Sequence, residues 1–206
     1  MAKVRVHNFT ITADGFSAGV NQREEAPFGD GVEGLHDWLF AAQEPGATGI
    51  DAERVALWDQ EVGATIMGRN MFGPIRGPWQ DGSWKGWWGD NPPYHHDVFV
   101  RTHHPRESLP MDGGTTFHFT DEPVEVVLER AFAAAKGQDV VIAGGAATVQ
   151  AYLRAGLIDE LYLVQVPLLA GAGERLFDNV AEALRNYKVT EMISSPAATH
   201  LTLRRR

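Results

Sequence analysis

The stretch Asp139-Val-Val-Ile-Ala-Gly-Gly-Ala-Ala-Thr148 decides the fold of this 206-residue chain. Its apolar run is typical of a short strand buried in a parallel sheet. Two glycines follow at once, and the side-chain pattern of residues 148–155 predicts a helix. Such a turn lets a phosphate approach the main chain and places it at the positive end of the helix dipole. A purely structural turn has the same pattern, so the sequence leaves both interpretations open at this point.

Two other predicted strands end in residues suited to phosphate. One ends in Gly68 and Arg69, where glycine lets the backbone turn and the guanidinium can hold a phosphate at two points. The next ends in Thr102 and His103, which offer a hydroxyl and an imidazole. Neither a G-x-G-x-x-G nor a G-x-x-x-x-G-K-[ST] motif is present. Each turn alone is a weak signal, and only their order along the chain predicts one nucleotide-phosphate site.

Strands and helices alternate along most of the chain. Predicted strands cover residues 3–13 (with one slip in the alternation), 64–67, 97–102, 115–119, 139–143 and 157–166, and a hairpin joins 187–193 to 198–203. Predicted helices cover 33–43, a segment that begins at Asp51 as its N-cap, 123–135 with Asp121 or Thr120 as its cap, and 148–155. This order predicts an α/β fold with a mostly parallel central sheet and antiparallel C-terminal edge strands. Without an internal repeat or a linker, residues 1–206 are expected to form a single domain.

The segment 73–95, which we call the tryptophan segment, has no regular pattern. Glycine, proline, aspartate and asparagine interrupt four of the six tryptophans of the chain. A long irregular segment rich in tryptophan is usually functional, because aromatic side chains argue against disorder. We expect a lid, a wall of the substrate site or a dimer contact.

The composition excludes several classes of site. With 18 basic and 27 acidic side chains the formal charge is −9, the wrong sign for broad nucleic-acid binding. Cysteine is absent, which excludes disulfides and thiolate metal sites. The adjacent histidines at 95–96 and 103–104 would point apart on a strand, so no metal site is expected. No stretch is apolar enough for a membrane span or a signal peptide, and we expect a cytoplasmic protein without a membrane partner.

Five motifs, in order, are similar to those of a known family: Thr-Ala-Asp14-Gly15-Phe, Ile-Met-Gly68-Arg69-Asn-Met-Phe, Val-Arg-Thr102-His103-His-Pro, Val-Val-Ile-Ala-Gly144-Gly145-Ala and Leu-Ile-Asp-Glu-Leu-Tyr-Leu. They resemble the dihydrofolate reductase-like family, and most closely its RibD C-terminal branch, which contains the reductase domain of bacterial riboflavin biosynthesis. The resemblance covers residues 3–177. It implies a three-layer α/β/α domain with a reduced nicotinamide cofactor across the carboxyl ends of the strands.

The resemblance also implies roles for single residues. Gly68 and Arg69 would hold the adenosine phosphate side of the cofactor, and Thr102 with His103 would lie by the ribose 2′-phosphate. Arg69 in this role favours NADPH over NADH, since a dianion suits a fixed guanidinium. Where the family commonly has a threonine this chain has Met71, so one phosphate-binding hydroxyl is missing. The pyrophosphate would lie on the third turn, formed by Gly144, Gly145, Ala146, Ala147 and Thr148.

Hydride transfer also needs a proton for the substrate, from a side chain or from water. Asp14 is one candidate acid, because the end of the first strand places it near the nicotinamide ribose or the substrate; a turn-capping role fits it equally. Asp37 is the other, since Leu-His-Asp37-Trp-Leu resembles the helix that bears the pterin-binding acid in dihydrofolate reductases. A solvated helix aspartate is the alternative for Asp37.

The resemblance therefore implies an NADPH-dependent reductase. Its substrate would be a small polar heterocycle with a C=N or C=O bond, of the pterin or ribosylated aminopyrimidine class. The alternative is a non-catalytic module of the same fold that binds NADPH or another nucleotide, and a weaker one is an enzyme that binds sugar phosphates. The family and the apolar segment 161–169 also make a homodimer plausible, although a buried central strand would have the same pattern.

Overall fold

The computed structural model describes residues 2–74, 76–80 and 83–206. The strands in these residues are β1 Val4–Thr12, β2 Phe16–Ala18, β3 Val62–Gly68, β4 Asp97–Arg101, β5 Leu109–Pro110, β6 Thr116–Thr120, β7 Asp139–Gly144, β8 Glu160–Val166, β9 Glu174–Arg175, β10 Tyr187–Ser194 and β11 Thr199–Arg205. The α-helices are α1 Asp37–Gln43, α2 Ile50–Val55, α3 Arg69–Phe72, α4 Val124–Ala135, α5 Ala146–Arg154 and α6 Ala181–Leu184. No helix in the described ranges is long and apolar enough to cross a membrane.

Nine strands form one sheet in the order β10-β11-β8-β1-β7-β3-β4-β6-β5. The six strands from β8 to β6 pair in parallel. β11 and β10 continue the sheet antiparallel at one edge, and β5 is antiparallel at the other. The predicted fold class, a mostly parallel sheet with antiparallel C-terminal edge strands, is confirmed.

The sheet is covered on both faces, as the predicted three-layer arrangement requires. On one face the core lies between the sheet and helices α4 and α5. On the other face Trp38 of α1 and Val55 of α2 pack on β8, while Phe72 of α3 packs with the tryptophan segment on β4 and β6. The neighbours Ile66 and Met67 fall in different clusters, because successive side chains of a strand point to opposite faces.

The break in side-chain alternation within the first predicted strand is a β-bulge. The pairing of β1 with β8 shifts register between Val6 and Phe9, and Asn8 within this interval has φ 52°. Asparagine tolerates this left-handed conformation better than most residues. The extra residue keeps Phe9 and Ile11 in the same buried cluster as Val6.

Helix boundaries and caps differ from the sequence expectation. α1 begins at Asp37 and not at residue 33, because Gly34 has φ 85°, outside the helical region. α5 begins directly after Gly145, two residues earlier than predicted. The predicted caps were wrong: Asp51 lies inside α2, whose N-cap is Gly49, and α4 has Pro123 as N-cap without a side-chain hydrogen bond. The hydroxyl of Thr120 donates instead to the carboxylate of Glu122.

Candidate functional site

Three neighbouring strands, β7, β3 and β4, bring the three predicted phosphate turns together. The register places Met67 beside Gly144 and Gly68 beside Arg101. Since all three strands run in parallel, the turns that follow them lie at the same carboxyl edge of the sheet. Brought together in this way, separately weak motifs make one candidate site.

Gly68 and Thr148 connect the first turn to the third. A Cβ atom at Gly68 would overlap Oγ1 of Thr148, so only glycine leaves room for this side chain. Gly144 has φ 141°, and a Cβ there would contact Phe9 and the Sδ of Met71. The Gly144–Gly145 peptide is cis. The thioether of Met71 therefore lies beside the third turn, where the resemblance had implied a hydroxyl.

The N-terminus of α5 is open to a ligand. Its N-cap, Gly145, provides no side-chain hydrogen bond, and a Cβ at this position would meet no atom within 4 Å. The first amides of a helix have no intrahelical acceptor, and here no side chain in the described part of the chain caps them. Ala146 is buried and Ala147 is exposed. The nine-residue helix thus presents donors and the positive end of its dipole to open space.

Arg69, the first residue of α3, presents an unpartnered edge. Its Nη1 donates to Oγ1 of Thr102 at 3.3 Å, while Nε and Nη2 are buried and have no hydrogen-bond partner among the described residues. These two groups form the side of a guanidinium that binds an anion at two points. Thr102 Oγ1 also accepts from the amide of His104 at 3.1 Å, which leaves its own proton to donate. Arg69 and Thr102 together bring a guanidinium and a hydroxyl, the donor types that bind anions, to this edge of the sheet.

Two further arginines surround this edge. Burial, followed by the charges of Arg106 and Arg76, lowers the pKa of Arg69 to about 10, so its side chain stays cationic at neutral pH. Arg76 bonds the neutral side chains of Asn70 and Gln22, and Arg106 donates to the carbonyl of Trp84 at 3.0 Å. Within the described residues none of the three pairs with a carboxylate. In a chain of net charge −9, this arginine cluster of Arg69, Arg76 and Arg106 favours an anionic ligand.

Trp79 of the tryptophan segment lies against this cluster. The guanidinium carbon of Arg69 lies 3.1 Å from the ring centroid of Trp79, and that of Arg106 lies 3.8 Å from it. Trp79 Nε1 donates to the carbonyl of His104 at 2.6 Å. The expectation that the segment is a lid, a wall of the substrate site or a dimer contact stays a prediction. Residues 75, 81 and 82 of the segment lie outside the described residues.

Neither Trp79 nor Arg106 was identified as a site residue from the sequence. The concentration of tryptophans marked the segment but did not say which indole meets the phosphate turns. Arg106 follows a turn and belongs to no motif. His103, which was identified, is exposed, and it is the backbone of His104 that bonds Thr102 and Trp79. The cofactor role of His103 stays a prediction.

Asp14 lies between β1 and β2, and both of its carboxylate oxygens are engaged. Oδ1 accepts from Thr12 Oγ1 at 2.5 Å and from the amide of Ala170 at 3.1 Å, and Oδ2 accepts from the amide of Gly171 at 2.8 Å. The Thr12 hydroxyl, with smaller contributions from the two amides, lowers the pKa of Asp14 to about 2. Such a carboxylate is ionised at neutral pH and has no proton to give. The geometry supports the turn-capping alternative for Asp14 over an acid catalyst.

Asp37 is exposed at the start of α1. Its Oδ2 lies beside Gly34, which also faces Leu168 in the loop after β8. α1 is held on the sheet by Trp38, whose Nε1 donates to Oγ1 of Thr10 at 3.1 Å. Asp14 and Asp37 therefore flank the same 168–171 loop, but only Asp14 is bonded to it.

Within the described part of the chain no three histidine, aspartate or glutamate side chains are grouped so as to hold a metal ion. The paired histidines have other contacts. His95 Nδ1 lies 2.8 Å from the carbonyl of Gly113, and His96 Nε2 lies 2.8 Å from Oγ1 of Thr65. These contacts tie the two side chains to different strands and turns.

Comparison with known proteins gives structural neighbours of this architecture. A Shewanella sp. PV-4 protein described as a riboflavin biosynthesis protein is 24% identical, with a TM-score of 0.62 over 100% of this chain and 99% of the other. A Thermotoga maritima diaminohydroxyphosphoribosylaminopyrimidine deaminase/5-amino-6-(5-phosphoribosylamino)uracil reductase is 14% identical, with a TM-score of 0.60 over 100% of this chain and 57% of the other. Dihydrofolate reductase from Enterococcus faecalis, complexed with NADP(H), is 14% identical. Its TM-score is 0.55, over 100% of this chain and 96% of the other. These likenesses confirm the dihydrofolate reductase-like fold.

Among the curated proteins no significant match was found. The model of the RibD C-terminal domain, in contrast, matches residues 3–196. This range includes all three phosphate turns, the arginine cluster and both candidate acids. It confirms the resemblance noted from the five motifs, and the chain therefore belongs to the RibD C-terminal domain family.

Proposed function

We propose that the chain is a reductase that transfers a hydride from NADPH to a C=N or C=O bond of a small polar heterocycle. The observation that carries this proposal is that Arg69, whose Nε and Nη2 have no partner among the described residues, lies at the same edge of the sheet as the uncapped N-terminus of α5. Family membership and the fold shared with two reductases support it. The substrate class is that of pterins or ribosylated aminopyrimidines.

The residues present fit a phosphorylated dinucleotide at two positions. Arg69 and Thr102 would hold a ribose phosphate, since a guanidinium beside a hydroxyl suits a dianion. The third turn would hold the pyrophosphate, because Gly145 faces open space and the helix dipole favours negative charge there. Gly68 brings the two positions together by admitting Thr148.

NADPH, when bound, supplies the hydride, and the chain supplies binding and orientation. The ionised Asp14 fixes the loop after β8 by accepting the amides of Ala170 and Gly171. The proton must then come from another source. We assign Asp37 to the substrate, with its carboxylate accepting a hydrogen bond from a donor of the heterocycle, and water delivers the proton.

A specific observation favours a second candidate, a nucleotide-binding module without turnover. Met71 places a thioether next to Gly144, so the third turn has one fewer hydroxyl donor than the family pattern. Asp14 is also not available as an acid. In this alternative the cofactor site is kept and hydride transfer is not.

The test is a fluorescence titration of the protein with NADPH and NADH. The absorbance of the reduced nicotinamide is then followed with pterins and ribosylated aminopyrimidines. We expect binding selective for NADPH, a loss of about tenfold or more in affinity for Arg69→Gln, and oxidation with one of the heterocycles. Arg154→Gln, an exposed residue at the far end of α5, is the matched control. Failure to bind either dinucleotide would overturn both candidates, and binding without oxidation would favour the second.

A further inference from the structure

We propose that Ser108, His118 and Asp97 form a second reactive site, at which Ser108 accepts the acyl group of small activated esters. Oγ of Ser108 lies 2.9 Å from Nδ1 of His118, and Nε2 of His118 lies 3.0 Å from Oδ1 of Asp97. A serine, a histidine and a carboxylate in this order are the arrangement that makes a hydroxyl nucleophilic. This site is separate from the phosphate turns, since Asp97 begins β4 and those turns follow the carboxyl ends of their strands.

The pairing of the last three strands of the sheet brings the three side chains together. β5 pairs antiparallel with β6 in a register that, continued by one residue, places Ser108 opposite His118. β4 pairs in parallel with β6 and places Phe99 beside His118. Asp97, two residues before Phe99, points to the same face of the sheet. The site is therefore built from cross-strand neighbours, which the sheet holds at fixed positions.

Asp97 determines which nitrogen of His118 carries the proton. A carboxylate oxygen accepts hydrogen bonds, so the contact with Asp97 requires the proton of the neutral ring on Nε2. Nδ1 is then the acceptor, and the hydroxyl of Ser108 donates to it. This is the tautomer that a general base needs, because the electron pair of Nδ1 faces the proton that it would remove. Asp97 is thus a positioning residue.

The imidazole is also held from its face. The ring of His118 stacks on that of Phe99, with centroids 5.1 Å apart and an angle of 28° between the planes. Phe99 is buried in the core under α4. His118 is half-buried, whereas Ser108 is exposed. The base is therefore fixed, while a molecule from solvent can reach the hydroxyl.

The backbone supplies a donor for the negative charge that develops on the ester oxygen. The amide of Met111 donates to the carbonyl of Thr115 at 2.8 Å, and bonded and non-bonded pairs alternate along an antiparallel ladder. Counted back from Met111, Ser108 falls in a non-bonded pair, so its N–H points away from β6. β5 is the last strand of the sheet, and no described strand lies beyond it to accept this amide. The amide of the nucleophile itself is a common part of an oxyanion hole.

The reaction with an ester needs no cofactor. Oγ of Ser108 attacks the carbonyl carbon and forms a bond to it, while its proton passes to Nδ1 of His118. The bond from the carbonyl carbon to the alcohol or phenol oxygen then breaks, and the leaving group takes the proton from His118. Water hydrolyses the acyl-serine by the same route, with His118 removing the proton of the water. Because Ser108 is exposed, we expect small esters with a good leaving group, which need little binding energy.

Labelling with a fluorophosphonate tests the nucleophile. An activated serine displaces fluoride from the phosphorus, and peptide mapping by mass spectrometry identifies the modified residue. We expect the adduct on Ser108, and labelling about a hundredfold slower in His118→Gln. Ser194→Ala is the matched control and should leave the labelling of Ser108 unchanged. Ser194 is also exposed and also bonds across a strand pair, but to the hydroxyl of Thr199.

Asp97→Asn tests the positioning without a change in volume. The asparagine amide donates to Nε2 of His118, which moves the ring proton to Nδ1 and removes the acceptor for Ser108. We expect slow labelling of Ser108 together with a change in the ¹⁵N chemical shifts of the His118 ring from the Nε2-protonated to the Nδ1-protonated pattern. Thermal melting confirms that the variants are folded. Should His118→Gln not fold, Asp97→Asn provides the same test.

Hydrolysis of p-nitrophenyl acetate, followed by release of nitrophenolate, tests turnover. We expect the rate to fall to that of the buffer in Ser108→Ala and to be unchanged in Ser194→Ala. An adduct found only on other residues would overturn the inference. So would labelling of Ser108 at the wild-type rate in both folded His118→Gln and Asp97→Asn, or ester hydrolysis that Ser108→Ala leaves intact.

Discussion

Nε2 of His200 lies 2.6 Å from Oδ1 of Asp51, which joins strand β11 to helix α2. The other ring nitrogen, Nδ1, lies 2.6 Å from the hydroxyl of Tyr162 on β8. His200 and Tyr162 are both buried. Asp51, expected from the sequence to cap its helix, is instead the outer member of a Tyr–His–Asp chain that holds α2 against the sheet.

Replacing His200 by leucine should destabilise the protein by about 2–4 kcal/mol, because it leaves a buried hydroxyl and a carboxylate without a partner. Tyr162→Phe removes only the hydrogen bond to Nδ1 of His200 and should cost about 1 kcal/mol. Urea unfolding measures both. His103→Leu, at an exposed position, is the matched control and should change stability by less than about 0.5 kcal/mol. A small effect of His200→Leu would mean that the chain does not anchor α2.

Asp14 should make stability depend on acidity. Its pKa, lowered to about 2 by Thr12 and the loop amides, lies below that of an unfolded aspartate, so the unfolded chain takes up a proton first as the pH falls. The stabilising effect is therefore complete above about pH 4 and is lost between about pH 4 and pH 2. Urea midpoints of wild type and Asp14→Asn should differ at neutral pH and converge on acidification. A difference that stays constant with pH would contradict the assigned role.

Gly68→Ala should be destabilising by about 1–3 kcal/mol, since the added methyl group overlaps the hydroxyl of Thr148. Thr148→Ala removes that hydroxyl and makes room. The double variant should therefore lose less stability than the two single losses added together. A double-mutant cycle in urea measures this coupling. Strict additivity would show that the two turns do not restrict each other.

Ala147→Glu should separate stability from binding. A carboxylate in the first turn of α5 interacts favourably with the helix dipole and should stabilise the fold by about 0.5 kcal/mol. The same charge would repel the pyrophosphate proposed to lie there, and NADPH affinity should fall about tenfold or more. Ala147→Gln, of the same size without the charge, is the control and should bind NADPH more tightly than Ala147→Glu. Equal binding by both variants would place the pyrophosphate elsewhere.

The sequence predicted the strands around the site better than the site itself. The apolar runs that end in Gly68 or Gly144 are local sequence patterns. Patterns of this kind were sufficient to predict the three turns and the fold class. The contact of Arg106 with Trp79 depends on how a turn after β4 meets an irregular segment, and no periodicity encodes that. The role of Asp14 was also undecided, because its amide partners at 170–171 are far away in the sequence.

The position of β1 in the middle of the sheet has a consequence for how the chain folds. Val4 pairs with Val140 on one side, and Thr12 pairs with Val166 on the other. β1 therefore acquires its partners only after β7 and β8 have been synthesised. Such distant pairings close large loops and slow the search for the native state. A ribosome-bound chain that ends before β7 has neither neighbour for β1 and lacks α5, so the proposed phosphate site cannot form before the centre of the sheet does.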